Sequence, residues 1–148
     1  MSQTEILKAS IADAGDIAIL LRTVFRHSLP YLPELHTPEE DLNFISTVVF
    51  PKCEVYIAKD NETIVGFCAF REGWIDHLYL LPQYQGKGIG PKLLALAKAA
   101  NTEIQLWTFQ KNDVARKFYE SHGFLIAEMT DGEGNEEKEP DIRYLWRS

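Results

Sequence analysis

The sequence predicts an α/β (α+β) fold in which helices flank one central mixed, mostly antiparallel sheet. Strand-like segments are interspersed with segments whose apolar residues recur at helical spacing, so both element types are expected. Several strands follow one another through short turns, which indicates hairpins and therefore antiparallel neighbours. The predicted element order is β-α-α-β-β-β-α-β-α-β-β, which gives about seven strands and four helices.

The first part of the chain is predicted to contain one strand and two helices. Glu5–Ala9 has the composition of a strand. A second helix is predicted to run to about Val48, because Thr37-Pro38-Glu39-Glu40 combines an N-cap, a proline in the first turn and a capping-box acid. The proline-rich stretch 27–36 that precedes it is predicted to be irregular. The first helix begins at the cap Asp13 and carries apolar residues at helical spacing, namely Ile17, Leu20, Leu21, Val24 and Phe25.

The rest of the chain is predicted to alternate between strands and helices. Asp60-Asn61-Glu62 is a plausible hairpin turn. A short helix starts at Asn112 and stops at Gly123, a residue suited to the left-handed end of a helix. Lys92–Ala100 is predicted to be a helix with a broad apolar face of Leu93, Leu94, Leu96, Ala97 and Ala100. The predicted strands are Glu54–Lys59, Thr63–Phe70, Trp74–Leu81, Glu103–Phe109, Phe124–Met129 and Ile142–Trp146.

Length, charge and composition argue against several classes of protein. The 148 residues suit one domain, 1–148, and the net charge of −7 argues against nucleic acid as a partner. No apolar run approaches the roughly 20 residues that span a membrane, and no membrane partner is expected. The N-terminal residues lack the pattern of a signal peptide, so a cytoplasmic protein is expected. Cys53 and Cys68 lack CxxC spacing and are expected to be free thiols.

The stretch QYQGKGIGP, residues 83–91, places three glycines within five residues directly before a predicted helix. A tight turn explains one of these glycines but hardly three. At a strand-to-helix junction, unpaired backbone N–H groups and the helix dipole favour an anion, and glycines allow a phosphate to approach closely. The spacing does not match the Walker loop GxxxxGK[ST], and Pro91 stands where the dinucleotide motif GxGxxG requires its third glycine. The loop therefore indicates a different phosphate-containing ligand.

Two motifs identify the chain as similar to the GNAT-type N-acetyltransferases. Gln85-x-x-Gly88-x-Gly90 resembles the Q/R-x-x-G-x-G/A signature with which this family grips the pyrophosphate of acetyl-CoA. Asn112-x-x-Ala115-x-x-x-Tyr119-x-x-x-Gly123-Phe124 resembles the family's later motif, at the usual distance downstream. The predicted element order also resembles the family fold over nearly the whole chain. Pro91 departs from the pattern, because many relatives carry a small or polar residue there, and it removes one N–H from the loop.

The resemblance implies acetyl-CoA as cosubstrate, no metal, and a sheet that splays between strands 4 and 5. The pantetheine arm would pair in that gap like an extra strand, and the backbone amide of Leu80 would polarise the acetyl carbonyl. Lys87 is a candidate for a further phosphate contact, although a solvated lysine is the alternative. The residues implied in cofactor binding are Leu78, Leu80, Gln85, Gly86, Lys87, Gly88, Ile89, Gly90, Asn112, Ala115, Phe118 and Tyr119.

Three residues are candidates for catalysis. Tyr119 falls where the family often places the tyrosine that protonates, or hydrogen-bonds to, the leaving thiolate; a core aromatic is the alternative role. Asp76 and His77 are candidates for the general base, and an ordinary surface or ion-pairing role is the alternative for either residue. Because successive residues of a strand point to opposite faces, only one of them would reach the cleft unless a bulge intervenes. Asn112 resembles the asparagine that contacts pantetheine, although a helix N-cap needs the same residue type.

Two segments are expected to select the acceptor. The stretch 27–36 offers His27, Tyr31 and His36 as substrate-binding residues, with Glu34 beside them, and this set suits a pocket wall better than a metal site. The loop Asp131–Asp141 has six acidic residues and one lysine, a charge of −5. If that loop borders the acceptor site, it would attract a cationic amine. The alternative is a loop that is simply solvated and has no role in binding.

The function that the resemblance implies is direct transfer of the acetyl group of acetyl-CoA to a primary amine of a small molecule or peptide, through a ternary complex. Neither motif contains a cysteine, so no acyl-enzyme intermediate is expected. The alternative is a catalytically inactive acyl-CoA-binding module that acts as a sensor or interaction protein. A monomer and a homodimer are both compatible with the sequence.

Overall fold

The computed structural model describes residues 4–148, and the expected mixed sheet runs through them. Its strands are β1 Thr4–Lys8, β2 Glu54–Asp60, β3 Thr63–Arg71, β4 Trp74–Leu80, β5 Glu103–Phe109, β6 Leu125–Met129 and β7 Asp141–Arg147. The helices are α1 Ala14–Ser28, α3 Ile89–Ala100, α4 Asp113–Ser121, and α2, which joins Pro38–Phe44, a π-helical stretch Ile45–Val49 and a last turn Phe50–Lys52. Two short 3₁₀ turns cover Ile11–Asp13 and Pro82–Tyr84.

The seven strands lie in the order β1-β2-β3-β4-β5-β7-β6. All neighbours are antiparallel except β4 and β5, which are parallel. This parallel pair is joined at one register position, Trp74 opposite Gln105, where the Gln105 N–H donates to the Gly73 carbonyl at 2.8 Å. The two strands diverge beyond that bridge. The predicted fold class, including the splay between strands 4 and 5, is therefore confirmed.

Each face of the sheet carries its own apolar core. On one face, α3 and α4 pack on β3–β5 and β7 through Leu93, Leu94 and Tyr119. On the other face, α1 and α2 pack on β2–β4 through Ile17, Leu21 and Ile45. The predicted apolar stripe of α1 is buried apart from the partly exposed Phe25, whereas Ala100 of α3 is exposed, contrary to prediction, because it lies in the last turn of its helix.

The capping box predicted for the second helix is present. The Glu40 N–H donates to the Thr37 hydroxyl at 3.1 Å, and the Thr37 N–H donates to the Glu40 carboxylate at 2.9 Å. The helix continues beyond the predicted end at Val48 to Lys52, through the π-helical stretch in which the Phe50 N–H donates to the Ile45 carbonyl. Pro51 lacks an N–H, and it is accommodated in the turn that follows this wider stretch.

A largely buried ion pair joins α1 to α2. The Arg22 guanidinium donates two hydrogen bonds to the Asp41 carboxylate, at 3.0 and 2.9 Å, and Asp41 is only 7% exposed. Bidentate geometry of this kind fixes the relative positions of two helices. The pair therefore holds α2 against the rest of the fold.

We expect Asp41→Asn to lower the free energy of unfolding by about 3 kcal/mol, because removing one partner leaves the Arg22 charge largely buried and uncompensated. Urea denaturation of the purified variant measures this loss. Arg26→Gln is the matched control, since it breaks the exposed pair of α1 with Glu34, and the smaller loss expected there reflects screening of that pair by solvent. Equal losses in the two variants would contradict the assignment of Arg22–Asp41 as the structural pair.

Candidate active site

A cavity of about 460 Å³ opens where β4 and β5 diverge. We call it the strand-gap cavity. Its walls come from β4, β5, the glycine loop and α4, and its far end reaches the last residues of α1 and the following Leu29. The cavity thus runs through the sheet, from the face covered by α3 and α4 to the face covered by α1 and α2.

The backbone of β4 presents unused hydrogen-bonding groups to this cavity. The Leu81 N–H donates to the Val65 carbonyl of β3 at 2.9 Å. Because peptide groups alternate in direction along a strand, those of Leu78 and Leu80 point the other way, towards β5. The strands have separated at this level, so β5 offers them no partner. A ligand that lies in the gap can therefore pair with the peptide groups of Leu78 and with the Leu80 N–H, whereas the Leu80 carbonyl already accepts from the Gln85 side chain.

The glycine loop closes one end of the cavity, and its three glycines have two different causes. Gly86 and Gly88 have φ values of 77° and 86°, in the left-handed region that side chains disfavour. Gly90 has no such strain; a Cβ there would come within 3.2 Å of the Phe118 ring on α4. Two glycines therefore shape the loop, and the third lets α3 and α4 approach each other.

Helix α3 begins at Ile89, three residues before the predicted start, so the loop leads directly into its N-terminus. Gly88 is the N-cap and supplies no side-chain cap. Within residues 4–148, the N–H groups of Gly86, Lys87 and Gly88 donate no hydrogen bond. These free donors and the helix dipole favour an anion at this position.

Side chains around the loop hold it in place. The Gln85 side-chain amide donates to the Leu80 carbonyl at 3.2 Å and so ties the loop to the end of β4. The Lys87 ammonium lies 5.5 Å from the centre of the Tyr84 ring, whose hydroxyl donates to Asp60. The Ile89 side chain is buried in the core, so its backbone alone can face a ligand.

Tyr119 and its neighbours on α4 line the opposite wall of the strand-gap cavity. The Asn112 side chain caps this helix by accepting from the Ala115 N–H at 3.2 Å. Tyr119 is 7% exposed and packs edge-on against Phe118 and Phe124. Burial raises the pKa of Tyr119 well above its usual value, so the phenol keeps its proton. Within residues 4–148, its hydroxyl makes no hydrogen bond.

A β-bulge places Asp76 and His77 on the same face of β4. Ala69 of β3 lies opposite His77, whereas the next residue, Phe70, lies opposite Ile75, so Asp76 is the extra residue on β4. This bulge is the exception that the sequence argument left open. Both side chains point to the face covered by α1 and α2, since Asp76 contacts Cys53 and His77 packs on Phe67.

The two neighbours have contrasting surroundings. Asp76 accepts two hydrogen bonds from Arg71, at 2.8 and 3.1 Å, and one from the Cys53 thiol. Burial opposes its ionisation, but the Arg71 and Cys53 hydrogen bonds and the positive charges nearby outweigh that effect, so the pKa of Asp76 lies below its usual value. The carboxylate oxygens of Asp76 are therefore largely occupied by hydrogen bonds from Arg71 and Cys53.

His77 packs among aromatic rings. Its ring centre lies 5.8 to 6.0 Å from those of Phe44, Phe67 and Tyr79. Burial lowers the pKa of His77 to about 4, so the imidazole is neutral at pH 7. Its Nδ1 atom is buried and has no hydrogen-bond partner within residues 4–148.

A second cavity, of about 670 Å³, lies between α1, α2 and the loop that joins β6 to β7. We call it the helix cavity. His77 lines both cavities, so the two adjoin at this side chain. Phe25 and Phe44 contribute aromatic surface to the helix cavity, and several carboxylates surround it, namely Glu39, Glu40, Asp41, Glu136 and Glu137.

The three residues expected to bind the acceptor lie in different places. His36 lines the helix cavity and pairs with Glu136 at 2.5 Å. Tyr31 does not line either cavity; its ring lies 5.2 Å below the Lys111 ammonium, and burial, with a smaller effect of Glu139, raises its pKa to about 12. His27 is exposed at the end of α1 and lines neither cavity. Glu34 pairs with Arg26 instead of joining a cluster.

Phe44 and Glu39 of α2 line the helix cavity, which was not predicted from the sequence. The helix itself was predicted, but its apolar periodicity does not show which face meets β4. Within residues 4–148, no group of three or more His, Cys, Asp or Glu residues is arranged to hold a metal. In the same range, none of the helices has both the length and the hydropathy needed to cross a membrane.

Comparison with known proteins agrees with this geometry. The profile of the acetyltransferase (GNAT) domain family matches residues 51–126, just over half of the chain. An uncharacterised N-acetyltransferase of Archaeoglobus fulgidus is 33% identical over 98 residues, which span 55% of this chain and 66% of that protein, just under two thirds of its length.

The fold also resembles two solved structures. PaiA N-acetyltransferase of Thermoplasma acidophilum, in complex with coenzyme A, has a TM-score of 0.78 and 23% identity over 99% of both chains. YncA of Salmonella typhimurium, with its cofactor acetyl-CoA, has a TM-score of 0.72 and 17% identity over 97% and 93% of the two chains.

We expect His77→Phe to flatten part of the pH dependence of stability. The pKa of His77 in the folded protein, about 4, lies below the usual 6.5. Between pH 6.5 and pH 4, His77 is therefore protonated in the unfolded chain but not in the folded protein, and this difference favours unfolding. Wild-type protein should therefore lose about 3 kcal/mol of unfolding free energy between pH 6.5 and pH 4 that the variant retains. No difference from this residue is expected above that range, where His77 is neutral in both states.

Urea denaturation of both proteins at half-unit pH intervals measures this difference, because all other titrating groups are shared. Curves that stay parallel between pH 6.5 and pH 4 would show that His77 titrates normally in the folded protein.

Proposed function

The chain belongs to the GNAT acetyltransferase family, and we propose that it transfers the acetyl group of acetyl-CoA directly to a primary amine in a ternary complex. The observation that carries this proposal is the meeting of two cavities at His77. One cavity has the features of a donor site, and the other gives an acceptor its own access to the same point. A module that only bound acyl-CoA would not need the second.

The strand-gap cavity suits acetyl-CoA. The free amides of the glycine loop would hold the pyrophosphate, and the pantetheine arm would pair with the peptide groups of Leu78. The Leu80 N–H would then donate to the acetyl carbonyl oxygen and stabilise the negative charge that develops there. The Asn112 amide, already the N-cap of α4, lines the same cavity and is placed for a further contact with the arm.

The acceptor amine would reach the thioester from the helix cavity. Its nitrogen attacks the carbonyl carbon, the C–N bond forms, and the proton that nitrogen loses passes to the imidazole of His77, directly or through water. The imidazole is neutral because burial lowers its pKa to about 4, so one ring nitrogen carries no proton and can accept one. Asp76 is less suited to the same task, since Arg71 and Cys53 already occupy its oxygens.

Breakdown of the tetrahedral intermediate cleaves the C–S bond and releases the thiolate of coenzyme A. Tyr119 lines the strand-gap cavity with a phenol that keeps its proton, so it can stabilise that sulfur by donating a hydrogen bond to it. The acyl group passes directly from sulfur to nitrogen. No acyl-enzyme is formed in this scheme.

We expect Tyr119→Phe to lower kcat by about ten- to a hundredfold while the Kd for acetyl-CoA stays nearly constant, because the variant lacks only the donor for the thiolate. The assay follows free thiol release from acetyl-CoA with a panel of primary amines, and calorimetry measures binding. Tyr56→Phe is the control, since Tyr56 stacks on Phe70 of the neighbouring strand away from both cavities.

Equal turnover in the Tyr119 variant and wild type would remove Tyr119 from the mechanism. Tight acetyl-CoA binding without thiol release for any amine would replace the enzyme by a binding module. Calorimetry in which ATP binds and acetyl-CoA does not would assign the glycine loop to another phosphate ligand.

We expect Gly88→Ala to raise the Kd for acetyl-CoA about tenfold, because a Cβ at this left-handed position disturbs the amides that face the pyrophosphate. Gly123→Ala is a matched control. Its φ of 90° imposes a similar strain, a Cβ there would lie 3.4 Å from the Trp146 ring, an ordinary contact, and Gly123 lines neither cavity. Both variants should lose about 1 kcal/mol of stability. An equal loss of affinity in both would attribute the effect to stability rather than to the loop.

A further inference from the structure

We propose that the helix cavity binds a second positive charge of the acceptor, so that the preferred substrate is a primary amine joined through an apolar spacer to another cationic group. This inference rests on the proposed function, because it takes the amine that meets His77 as the one acetylated. It adds a substrate class that the chemistry of transfer alone does not require.

The first support is the charge of the cavity wall. Of its carboxylates, Asp41 is neutralised by Arg22, and Glu136 pairs with His36. Glu40 accepts the Thr37 N–H in the capping box. Glu39 and Glu137, by contrast, make no hydrogen bond or ion pair within residues 4–148. Two carboxylates of this wall are therefore left for a cation from outside.

The position of Glu137 shows that the acidic loop faces inwards at this point. Burial, together with the nearby Glu137 carboxylate, raises the pKa of Tyr79, whose ring lies 6.0 Å from that of His77. The loop itself is ordered by the Asn135 side chain, which donates to the Glu139 carbonyl at 2.7 Å and to Asp141 at 3.1 Å. Glu137 is thus held beside the cavity and not merely displayed to solvent.

The second support is independent of charge. His77 lies at the buried end of the cavity with an unpartnered Nδ1, which indicates that a polar group of a ligand belongs there. Leu21, Phe25, Phe44 and Val48 give the same cavity apolar surface beside its polar groups. The π-helical stretch of α2 begins directly after Phe44, whose ring packs edge-on against His77.

The cavity therefore combines the imidazole of His77, apolar surface and unpaired negative charge. A diamine with an alkyl chain matches all three parts. A neutral amine would leave Glu39 and Glu137 without a partner, and an acidic acceptor would be repelled by them.

Matched pairs of acceptors test the proposal. Diaminobutane and diaminohexane are compared with butylamine and hexylamine in the thiol-release assay. We expect kcat/KM to be at least about tenfold higher for each diamine than for the monoamine of equal length, mostly through KM, because a charge-assisted contact is gained in binding. This advantage should shrink as sodium chloride is raised, since ions screen the interaction.

The double variant Glu39→Gln/Glu137→Gln should lower kcat/KM for the diamines at least about tenfold more than for the monoamines. Glu133→Gln is the control, because it removes one charge from the same loop at an exposed side chain that does not line the cavity. It should change neither ratio. Calorimetric titration of the diamine into the coenzyme A complex gives a readout that does not depend on turnover, and the double variant should weaken that binding as well.

Monoamines that react as well as diamines, with no selective effect of the double variant, would overturn this inference and leave the acetyltransferase function standing. Diamine binding that depends on Glu39 and Glu137, without acetyl transfer to any amine, would support the cation site and reject the proposed function. Higher activity with a basic peptide than with every diamine would overturn the small-diamine class.

Discussion

The Gln105 N–H donates to the Gly73 carbonyl, and this bridge is where β4 and β5 meet before they diverge. Backbone groups buried without partners are costly, so a sheet that opens in its middle must have its exposed strand satisfied in some other way. Leu78 and Leu80 are on the open side of β4. The fold thus leaves the Leu78 peptide groups and the Leu80 N–H without a partner from β5. An extended ligand with amide groups would be able to pair with them.

The bulge at Asp76 brings two polar side chains of β4 to the same face of the sheet. Without the extra residue, Asp76 and His77 would face opposite sides of the sheet; with it, both face α1 and α2. Their neighbours then separate them chemically. Arg71 and Cys53 keep Asp76 ionised and occupied, whereas the rings of Phe44, Phe67 and Tyr79 keep His77 neutral. Strand β4 therefore borders the strand-gap cavity with the backbone of Leu78 and Leu80, and it borders the helix cavity with the side chain of His77.

Most of the secondary structure could be predicted because its causes are local. The bounds of β5 are those predicted, and the capping box of α2 depends on four consecutive residues. The features that were not predicted depend on distant pairings. The π-helical stretch adapts α2 to the sheet beneath it, the bulge depends on the register with β3, and the Arg22–Asp41 pair joins residues 19 positions apart. For the same reason, Phe44 and Glu39 could be assigned to a helix but not to a cavity.

The two sequence motifs are also one structural unit. Gly90 of the glycine loop lies so close to α4 that a Cβ would come within 3.2 Å of Phe118. The Phe118 ring in turn packs on Tyr119 and on His122, at 5.3 and 4.5 Å between ring centres. The contact therefore sets the distance between the proposed pyrophosphate site and the Tyr119 phenol. Because protein interiors transmit small displacements, a side chain at position 90 would move both together. The spacing of glycines in the loop is thus a constraint on where Tyr119 stands as well as on how the loop binds phosphate.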